Sequence, residues 1–226
     1  MSESENVIVY TALVGEYDAL GDFPFDDLRA ICFTDRSSVA SGWEHAPIAD
    51  NYNNVDERIR LARRYKMLPH VYLPKHTFSI WIDSSMTLLE DPREWLRSFC
   101  EFDLSTFKYP DTYGVRECLY LEAEACILRK KDEEEVIREQ MFRYRREGYP
   151  GQNGLVETSI VLRKLSNTSV KFNEAWWSEL CRGSRRDQLS FNYVSWRHNV
   201  EYGILPGCRI SSPLASYRPH LEDVYI

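Results

Sequence analysis

One carboxylate follows a run of apolar residues directly, in the stretch FSIWIDSSM from Phe78 to Met86. The run FSIWI is mostly apolar, aromatic and β-branched, which is typical of a buried strand. Asp83 then stands before the hydroxyls of Ser84 and Ser85. This aspartate either caps a turn or belongs to a metal or ligand site at the carboxyl edge of an α/β sheet. Mg²⁺ and Mn²⁺ use only one or two protein carboxylates when phosphate oxygens complete their shell, so a single aspartate is enough.

Positive charge is concentrated just before this strand, in the segment DERIRLARRYKMLPH. Arg60 and Arg64 are four residues apart and share a face of a predicted helix, and Arg63 and Lys66 widen the positive surface. The segment is either a solvated basic face balanced by its own acids, which the residues alone favour, or a clamp for a pyrophosphate group.

A third polar segment, GSRRDQLSFNYVSW, runs from Gly183 to Trp196. Ser184 and Asp187 suit the cap and the first turn of a helix. Alternatively, the segment binds sugar hydroxyls through Gln188 and its arginines, or Asp187 stabilises positive charge developing at a sugar carbon. His220, in SYRPHL, is either a surface residue or, if the tail folds back, a ligand for Mn²⁺.

These residues require elements that position them, and the sequence predicts strands alternating with helices. Strands are predicted at Val7 to Val14, Arg29 to Thr34, Phe78 to Ile82, Asp103 to Phe107 and Leu155 to Leu162. Helices are predicted at Asn54 to Met67, Asp91 to Phe99, Arg116 to Arg146, Lys171 to Cys181 and Arg186 to Trp196. The charged KKDEEE in the longest helical segment is either a turn or a solvated face, and the tail from Gly203 to Ile226 is expected to be irregular. The alternation indicates an α/β fold, and 226 residues indicate one domain.

Composition excludes some classes of function. The net charge of -7 and the pI near 5.4 argue against a general nucleic-acid binder. No apolar run approaches the ~20 residues that span a bilayer, and the acidic start MSESEN is not a signal peptide. The six cysteines lack zinc-ligand spacing. We therefore expect a cytoplasmic protein without a transmembrane segment.

The order of the motifs resembles that of GT-A glycosyltransferases. The run R-I-R-L-A-R-R-Y-K-M-L-P, then W-I-D-S-S-M, then D-P-R-E-W-L is similar to the centre of the glycogenin and galactosyltransferase group. The segment RRDQLSF resembles the later D-Q element of that group. His220 resembles the C-terminal histidine with which that group binds a metal ion. A smaller GT-A-like family, known from bacterial polysaccharide loci, plant Golgi proteins and large algal viruses, is more similar still. From residue 7 to about 197, this chain follows in order the motifs of that family, namely V-Y-T-A-x-x-G-x-Y-D, C-F-T-D, R-x-x-R-x-Y-K-x-L-P-H, W-I-D and R-R-D-Q-L-S-F.

The resemblance implies one GT-A-like domain over residues 1–226, with a mixed sheet flanked by helices and the tail 203–226 folded over the site. It also implies roles for particular residues. The base and ribose would be held by Thr11, Ala12, Tyr17 and Asp35. The diphosphate would lie near Arg60, Arg64, Lys66 and Ser84. Mn²⁺ (or Mg²⁺) would be bound by Asp83 and His220, with Ser85 replacing the second aspartate of D-x-D. The donor sugar or the acceptor would face Glu157, Asp187 and Gln188.

The activity implied by the resemblance is transfer of a hexose or deoxyhexose from a nucleoside diphosphate, most simply UDP, to a glycan hydroxyl. The D-Q element favours retention of configuration. Two alternatives stay open: a metal-dependent hydrolase of an amide or lipid substrate, and a catalytically inactive sugar-binding module.

Overall fold

The computed structural model describes residues 6–16, 18–99, 101–110 and 117–219. The strands are β1 (Val7–Leu13), β2 (Ala30–Thr34), β3 (Glu44–Pro47), β4 (Phe78–Ile82), β5 (Met86–Leu88), β6 (Leu104–Lys108), β7 (Val156–Lys164), β8 (Gly203–Leu205) and β9 (Ala215–Tyr217). The helices are α1 (Val55–Met67), α2 (Pro69–Tyr72), α3 (Pro92–Phe99), α4 (Leu119–Leu128), α5 (Glu134–Arg146), α6 (Asn167–Arg182) and α7 (Gln188–His198).

The central sheet is mixed and has the order β3-β2-β1-β4-β7-β6-β8. Strands β3, β2, β1 and β4 are parallel, so the carboxyl ends of β1 and β4 meet at one edge. Strand β7 is antiparallel to β4, with Ile82 opposite Ile160, so β7 begins at that same edge. The residues after β4 therefore lie beside the first residues of β7.

Helix α1 packs on the sheet, and the side chains of Arg63 and Lys66 in its second half reach Asp83, just after β4. Asn54 caps its start by accepting the backbone N–H of Glu57. Leu61 and Tyr65 are buried against the sheet. The helix ends before Pro69, because a proline disfavours the helical conformation of the residue before it.

The predicted α/β fold class is confirmed, and the five predicted strands agree with the structure to within one or two residues. The segment predicted as helical from Arg116 to Arg146 contains two helices, α4 and α5, so its charged middle is in part a turn. Lys130 in that turn has a φ of 50°, which a helix does not allow.

The prediction of an irregular tail was wrong in part. Strand β8 joins the central sheet beside β6, and β9 forms a separate two-stranded sheet with β5. Strands of three residues are too short to show an alternating pattern of apolar and polar residues. Strand β3 was also missed, because its four residues are mostly exposed and give no apolar pattern. Within the described ranges, no helix is both long enough and apolar enough to cross a membrane.

Candidate active site

A buried ion pair lies where α1, β4 and β7 meet. Lys66 is only 1% exposed, and its Nζ lies 2.5 Å from Oδ2 of Asp187. The same Nζ donates to Oγ1 of Thr158 at 3.0 Å, and the Thr158 hydroxyl donates to Asp187 Oδ2 at 2.8 Å. Nζ also lies 5.5 Å from the ring centroid of Trp81. The three polar groups satisfy one another where water is largely excluded.

Arg63 lies one turn before Lys66 and joins Asp187 to Asp83. Its Nε is 3.3 Å from Asp187 Oδ1, and its Nη1 is 3.8 Å from Asp83 Oδ1. Burial alone would raise the pKa of Asp187, but Arg63 and Lys66 outweigh burial and hold that pKa well below its ordinary value. Burial lowers the pKa of Lys66, against the opposing effect of Asp187 and Asp83. Asp187 is therefore an anion at neutral pH.

Asp83 is held in place just after β4. Its backbone N–H donates to the Ser159 carbonyl at 2.8 Å, and the indole N–H of Trp81 donates to its Oδ1 at 2.7 Å. Oδ1 also lies 3.6 Å from Lys66 Nζ. The side chain remains 28% exposed, so the carboxylate reaches solvent while its orientation is fixed.

Glu157, near the start of β7, pairs with the tail. Its Oε1 is 2.9 Å from Nε of Arg209, and its Oε2 accepts the Arg209 backbone N–H at 3.2 Å. Burial raises the pKa of Glu157, and Arg209 opposes that shift. Gln188, at the start of α7, donates its amide to the Val156 carbonyl at 2.8 Å. These contacts tie the first residues of β7 to both α7 and the tail.

These side chains line a cleft with two lobes. The polar lobe, of about 340 Å³, is lined by Arg63, Lys66, Asp83, Tyr109, Glu122, Arg129, Lys131, Glu157, Thr158, Ser159, Arg186, Asp187, Gln188, Arg209 and Tyr217. The strand-end lobe, of about 370 Å³, is lined by Ala12, Leu13, Val14, Asp18, Val55, Arg58, Ile59, Ala62, Arg63, Trp81, Asp83, Ser84, Lys131 and Arg186. Both lobes are lined by Arg63, Asp83, Lys131 and Arg186, so together they form one cleft at the carboxyl edge of the sheet.

The structure brings together Lys66, Asp83, Glu157, Asp187 and Gln188 of the predicted site residues. Two further predicted residues line the cleft, and a third, Thr11, lines neither lobe. Ala12 and Ser84 line the strand-end lobe. Thr11 is fully buried in β1, and its hydroxyl has no hydrogen-bond partner among the described residues.

Other predicted residues lie apart from this cluster. Asp35 accepts the Gly15 N–H at 3.0 Å and the Tyr52 hydroxyl at 2.9 Å, on the loops after β1 and β2. Ser85 is buried and lines neither lobe. Tyr17 and His220 lie outside the described residues, so their predicted roles stay predictions.

Arg60 and Arg64 also point away from the cluster. Arg60 binds Asp56 at 2.7 Å and donates to the carbonyl of Gly183 at 3.0 Å, which ties α1 to the end of α6. Arg64 pairs with Asp50 at 2.7 Å. Of the basic residues on α1, Arg63 and Lys66 line the polar lobe. They are three residues apart, and that spacing also places two side chains on one face of a helix.

Several cleft residues were absent from the predicted site: Arg63, Trp81, Lys131, Thr158, Arg186 and Arg209. The sequence contained a signal for three of them, and Arg63 already stands among the basic residues of the predicted helix. Arg186 directly precedes Asp187, and Trp81 is two residues before Asp83 on the same strand. Thr158 and Arg209 carried none, since their partners are remote in sequence.

Two of the three residues predicted to bind the metal, Asp83 and Ser85, lie in the described ranges. No group of three or more His, Cys, Asp or Glu side chains in the described ranges lies close enough together to hold an ion. Asp83 fits the role of a single carboxylate ligand, because it is fixed, partly exposed and placed beside the cations that would face phosphate oxygens. Ser85 does not share that access.

Comparison with known proteins places these features in context. The family described as TOD1/MUCI70, glycosyltransferase-like domain, matches residues 43–209. The probable hexosyltransferase MUCI70 of Arabidopsis thaliana is 31% identical over 137 residues, which cover 57% of this chain and 23% of that protein. The alkaline ceramidase TOD1 of Arabidopsis thaliana is 30% identical over 141 residues, 57% of this chain and 30% of that protein. The chain thus spans less than a third of the length of either relative.

A solved structure is similar in fold. The crystal structure of mouse xyloside xylosyltransferase 1, in its apo form, superposes with a TM-score of 0.51 at 12% sequence identity. The match covers 89% of this chain and 84% of that one. At this identity the likeness concerns the fold, and it agrees with the mixed central sheet described above.

Proposed function

This chain belongs to the TOD1/MUCI70 family of glycosyltransferase-like domains, and from that premise we propose that it transfers a sugar from a nucleoside diphosphate to a glycan hydroxyl. The resemblance to a GT-A-like family that the motifs predicted is confirmed. The sugar proposed is a hexose or deoxyhexose, and the nucleotide proposed is UDP.

One observation carries the proposal, namely the cluster of Arg63 and Lys66 beside Asp83 at the sheet edge. Two cations are held there in a largely buried site, and the more exposed carboxylate stands within 4 Å of both, at 3.8 and 3.6 Å. Cations fixed in advance in a water-poor site stabilise charge that develops on a departing diphosphate, without the cost of reorganisation. The cluster therefore suits the leaving group of a glycosyl transfer.

The two lobes suggest where the substrates bind. The strand-end lobe is bounded by aliphatic residues of β1 and α1 and by the ring of Trp81, and we propose that it receives the nucleoside. The polar lobe, with charged and amide side chains, would then receive the donor sugar and the acceptor hydroxyl. The two phosphates would lie between them, next to Arg63 and Asp83, which line both lobes.

Each carboxylate would have a separate role. Asp187 is anionic and paired on both oxygens, so it is suited to orienting Lys66 and Arg63 rather than to moving a proton. Glu157 lines the sugar-binding lobe, and its raised pKa suits a group that exchanges a proton with a hydroxyl. Gln188 would hydrogen-bond the sugar. Mn²⁺ or Mg²⁺, bound through Asp83 and His220, would neutralise charge on the diphosphate.

The binding of UDP with Mn²⁺, measured by calorimetry, tests the diphosphate site. Arg63→Gln should weaken binding about tenfold, as expected when a charge-assisted contact worth about 1.5 kcal/mol is lost. Arg64→Gln is the matched control, because this arginine lies one position along the helix and pairs with Asp50 instead. Asp83→Ala should abolish the metal-dependent part of binding. Parent-like affinity in Asp83→Ala would refute the metal assignment, and equal effects of the two arginines would refute the diphosphate site.

A second candidate function is hydrolysis of an amide in a lipid, which the similarity to the alkaline ceramidase TOD1 favours. The charged lining of the polar lobe is poorly suited to an acyl chain, so we rank this function second. Release of fatty acid from ceramide would support it. Failure to release UDP from any nucleotide sugar would instead favour an inactive sugar-binding module. The cytoplasmic location stays a prediction.

A further inference from the structure

A charged side chain is buried behind the site. Arg163, on β7, is 1% exposed, and no carboxylate of the described residues lies within ion-pair distance of it. Its Nε donates to Oδ1 of Asn173 at 3.0 Å, and its Nη1 donates to the Tyr10 hydroxyl at 2.9 Å. Its Nη2 has no hydrogen-bond partner among the described residues. Burying a cation without a counter-charge is costly, so an apolar residue would serve a purely structural purpose better.

The first arm from Arg163 leads to Lys66. The Tyr10 hydroxyl accepts the hydrogen bond from Arg163 and donates its own to the backbone carbonyl of Lys66 at 2.8 Å. That carbonyl is in the last turn of α1, where helix carbonyls lack partners within the helix. Tyr10 also packs edge-on against Trp81, with ring centroids 5.3 Å apart. This arm fixes the end of the helix from which the Lys66 ammonium extends.

The second arm leads to Asp187. The guanidinium carbon of Arg163 lies 5.8 Å from the ring centroid of Trp176, on α6. The indole N–H of Trp176 donates to the backbone carbonyl of Asp187 at 3.0 Å. A cation near an aromatic ring in a dry interior is attracted to its face, so Arg163 holds this indole as well.

We propose that Arg163 is a positioning residue that holds Lys66 and Asp187 at the distance of their ion pair, through Tyr10 on one side and Trp176 on the other. Each arm ends on the backbone carbonyl of one member of the pair. The two arms come from different elements, β1 and α6, so a single buried guanidinium links the helix that carries the cation to the segment that carries the anion. Its relevance to catalysis rests on the proposed function, whereas the positioning itself does not.

A double-mutant cycle on the ion pair tests the inference without any activity. The coupling between Lys66→Met and Asp187→Asn is measured from unfolding equilibria in the parent and in an Arg163→Gln background. We expect a coupling of about tenfold in the parent to fall to about twofold in that background, within the range seen for contacting residues. A purely structural arginine would destabilise all four corners of the cycle equally. An unchanged coupling would therefore overturn the proposal.

Milder backgrounds guard against misfolding. Tyr10→Phe keeps the phenyl ring and removes the hydroxyl with both of its hydrogen bonds, the one from Arg163 and the one to the Lys66 carbonyl. Trp176→Phe keeps an aromatic ring and removes the indole N–H that donates to the Asp187 carbonyl. Each should lower the coupling. Their matched controls are Tyr120→Phe and Trp43→Phe, since those side chains also donate to backbone carbonyls, at 2.8 and 3.0 Å, elsewhere in the fold. The controls should leave the coupling at its parent value, and a fall in the controls equal to that in the test variants would overturn the proposal.

Two further arrangements keep the test decisive. If Asp187→Asn does not fold, Thr158→Val takes its place in the cycle, because this hydroxyl joins the two members. In calorimetry with UDP and Mn²⁺, Tyr10→Phe should bind about fivefold more weakly than the parent, and Tyr120→Phe should bind like the parent. Parent-like affinity in Tyr10→Phe would count against the inference. If the parent itself does not bind UDP, the proposed function fails, and the cycle alone decides the role of Arg163.

Discussion

Replacing Lys66 with methionine should destabilise the fold strongly and in a pH-dependent way. Methionine is similar in length and suits the apolar surface of Trp81, so the packing change is small. The main loss is the ammonium 2.5 Å from Asp187 and 3.0 Å from the Thr158 hydroxyl. Asp187 is then left as a buried anion with Arg63, at 3.3 Å, as its nearest cation.

The size of the effect follows from this geometry. Removing one partner of a buried ion pair costs about 3–5 kcal/mol of unfolding free energy. Because Arg63 and Thr158 still satisfy part of Asp187, we expect the lower end, about 3 kcal/mol at pH 7. Lys108→Met is the matched control: its Nζ is also 2.5 Å from a carboxylate, that of Glu117, but both side chains are nearly half exposed. An exposed pair contributes about 0–1 kcal/mol.

The pH dependence has a definite sign. The folded-state pKa of Asp187 is depressed, so its stabilising contribution is present above the unfolded pKa of about 4 and is lost as pH falls. Without Lys66 this pKa moves back up, and the group contributes less at neutral pH. The stability gap between parent and Lys66→Met should therefore be fully present at pH 7 and should narrow as pH falls below about 5.

Urea unfolding at a series of pH values measures both quantities from the midpoint and slope of each transition. A loss of unfolding free energy below about 1 kcal/mol at pH 7, which is the range of the exposed control, would show that Lys66 and Asp187 are not a strongly coupled buried pair. A gap that stays constant or widens toward acid pH would also contradict this pairing, since Asp187 would then not be the group left unpaired.

Two further predictions concern Glu157 in the cleft and the packing of Gly183 against Gln140. Burial raises the pKa of Glu157, and Arg209 opposes that shift. Arg209→Gln should therefore raise this pKa further and move the acidic limb of the profile of kcat/KM against pH to higher pH. If the acidic limb does not move, Glu157 is not the titrating group. A Cβ at Gly183 would lie 2.6 Å from the buried Gln140 side chain, so Gly183→Ala should lower the free energy of unfolding by about 1–3 kcal/mol and lower Tm. Gly151→Ala is the control, because a Cβ there would have no atom within 4 Å, and its Tm should equal that of the parent. Equal Tm values for the two variants would contradict the steric clash at Gly183.

The sequence predicted the sheet better than the site. Strands β1 and β4 were recognisable because each is a continuous apolar run buried on both faces of a parallel sheet. Strands β5 and β9 were not, since their pairing depends on a contact between residues about 130 positions apart. Local pattern contains no information about such pairs.

The basic helix shows the same limit at the level of side chains. Helical spacing groups Arg60 with Arg64 and Arg63 with Lys66, but it does not say which pair faces the strand ends. The structure settles this through Arg60, which binds the end of α6, and Arg64, which binds Asp50. Those partners are set by tertiary packing. Asp83 was identifiable because the strand end fixes its location directly.

A thermal-shift screen of nucleotide sugars, with and without Mn²⁺, measures most directly whether the protein binds a sugar donor. A ligand at 100 times its Kd stabilises the folded state by about 2.7 kcal/mol. For a chain of 226 residues this is a rise in Tm of about 5–10 °C. We expect such a rise for at least one UDP-sugar, and a larger rise with Mn²⁺ than without. A panel in which no nucleotide sugar raises Tm under either condition would contradict this expectation.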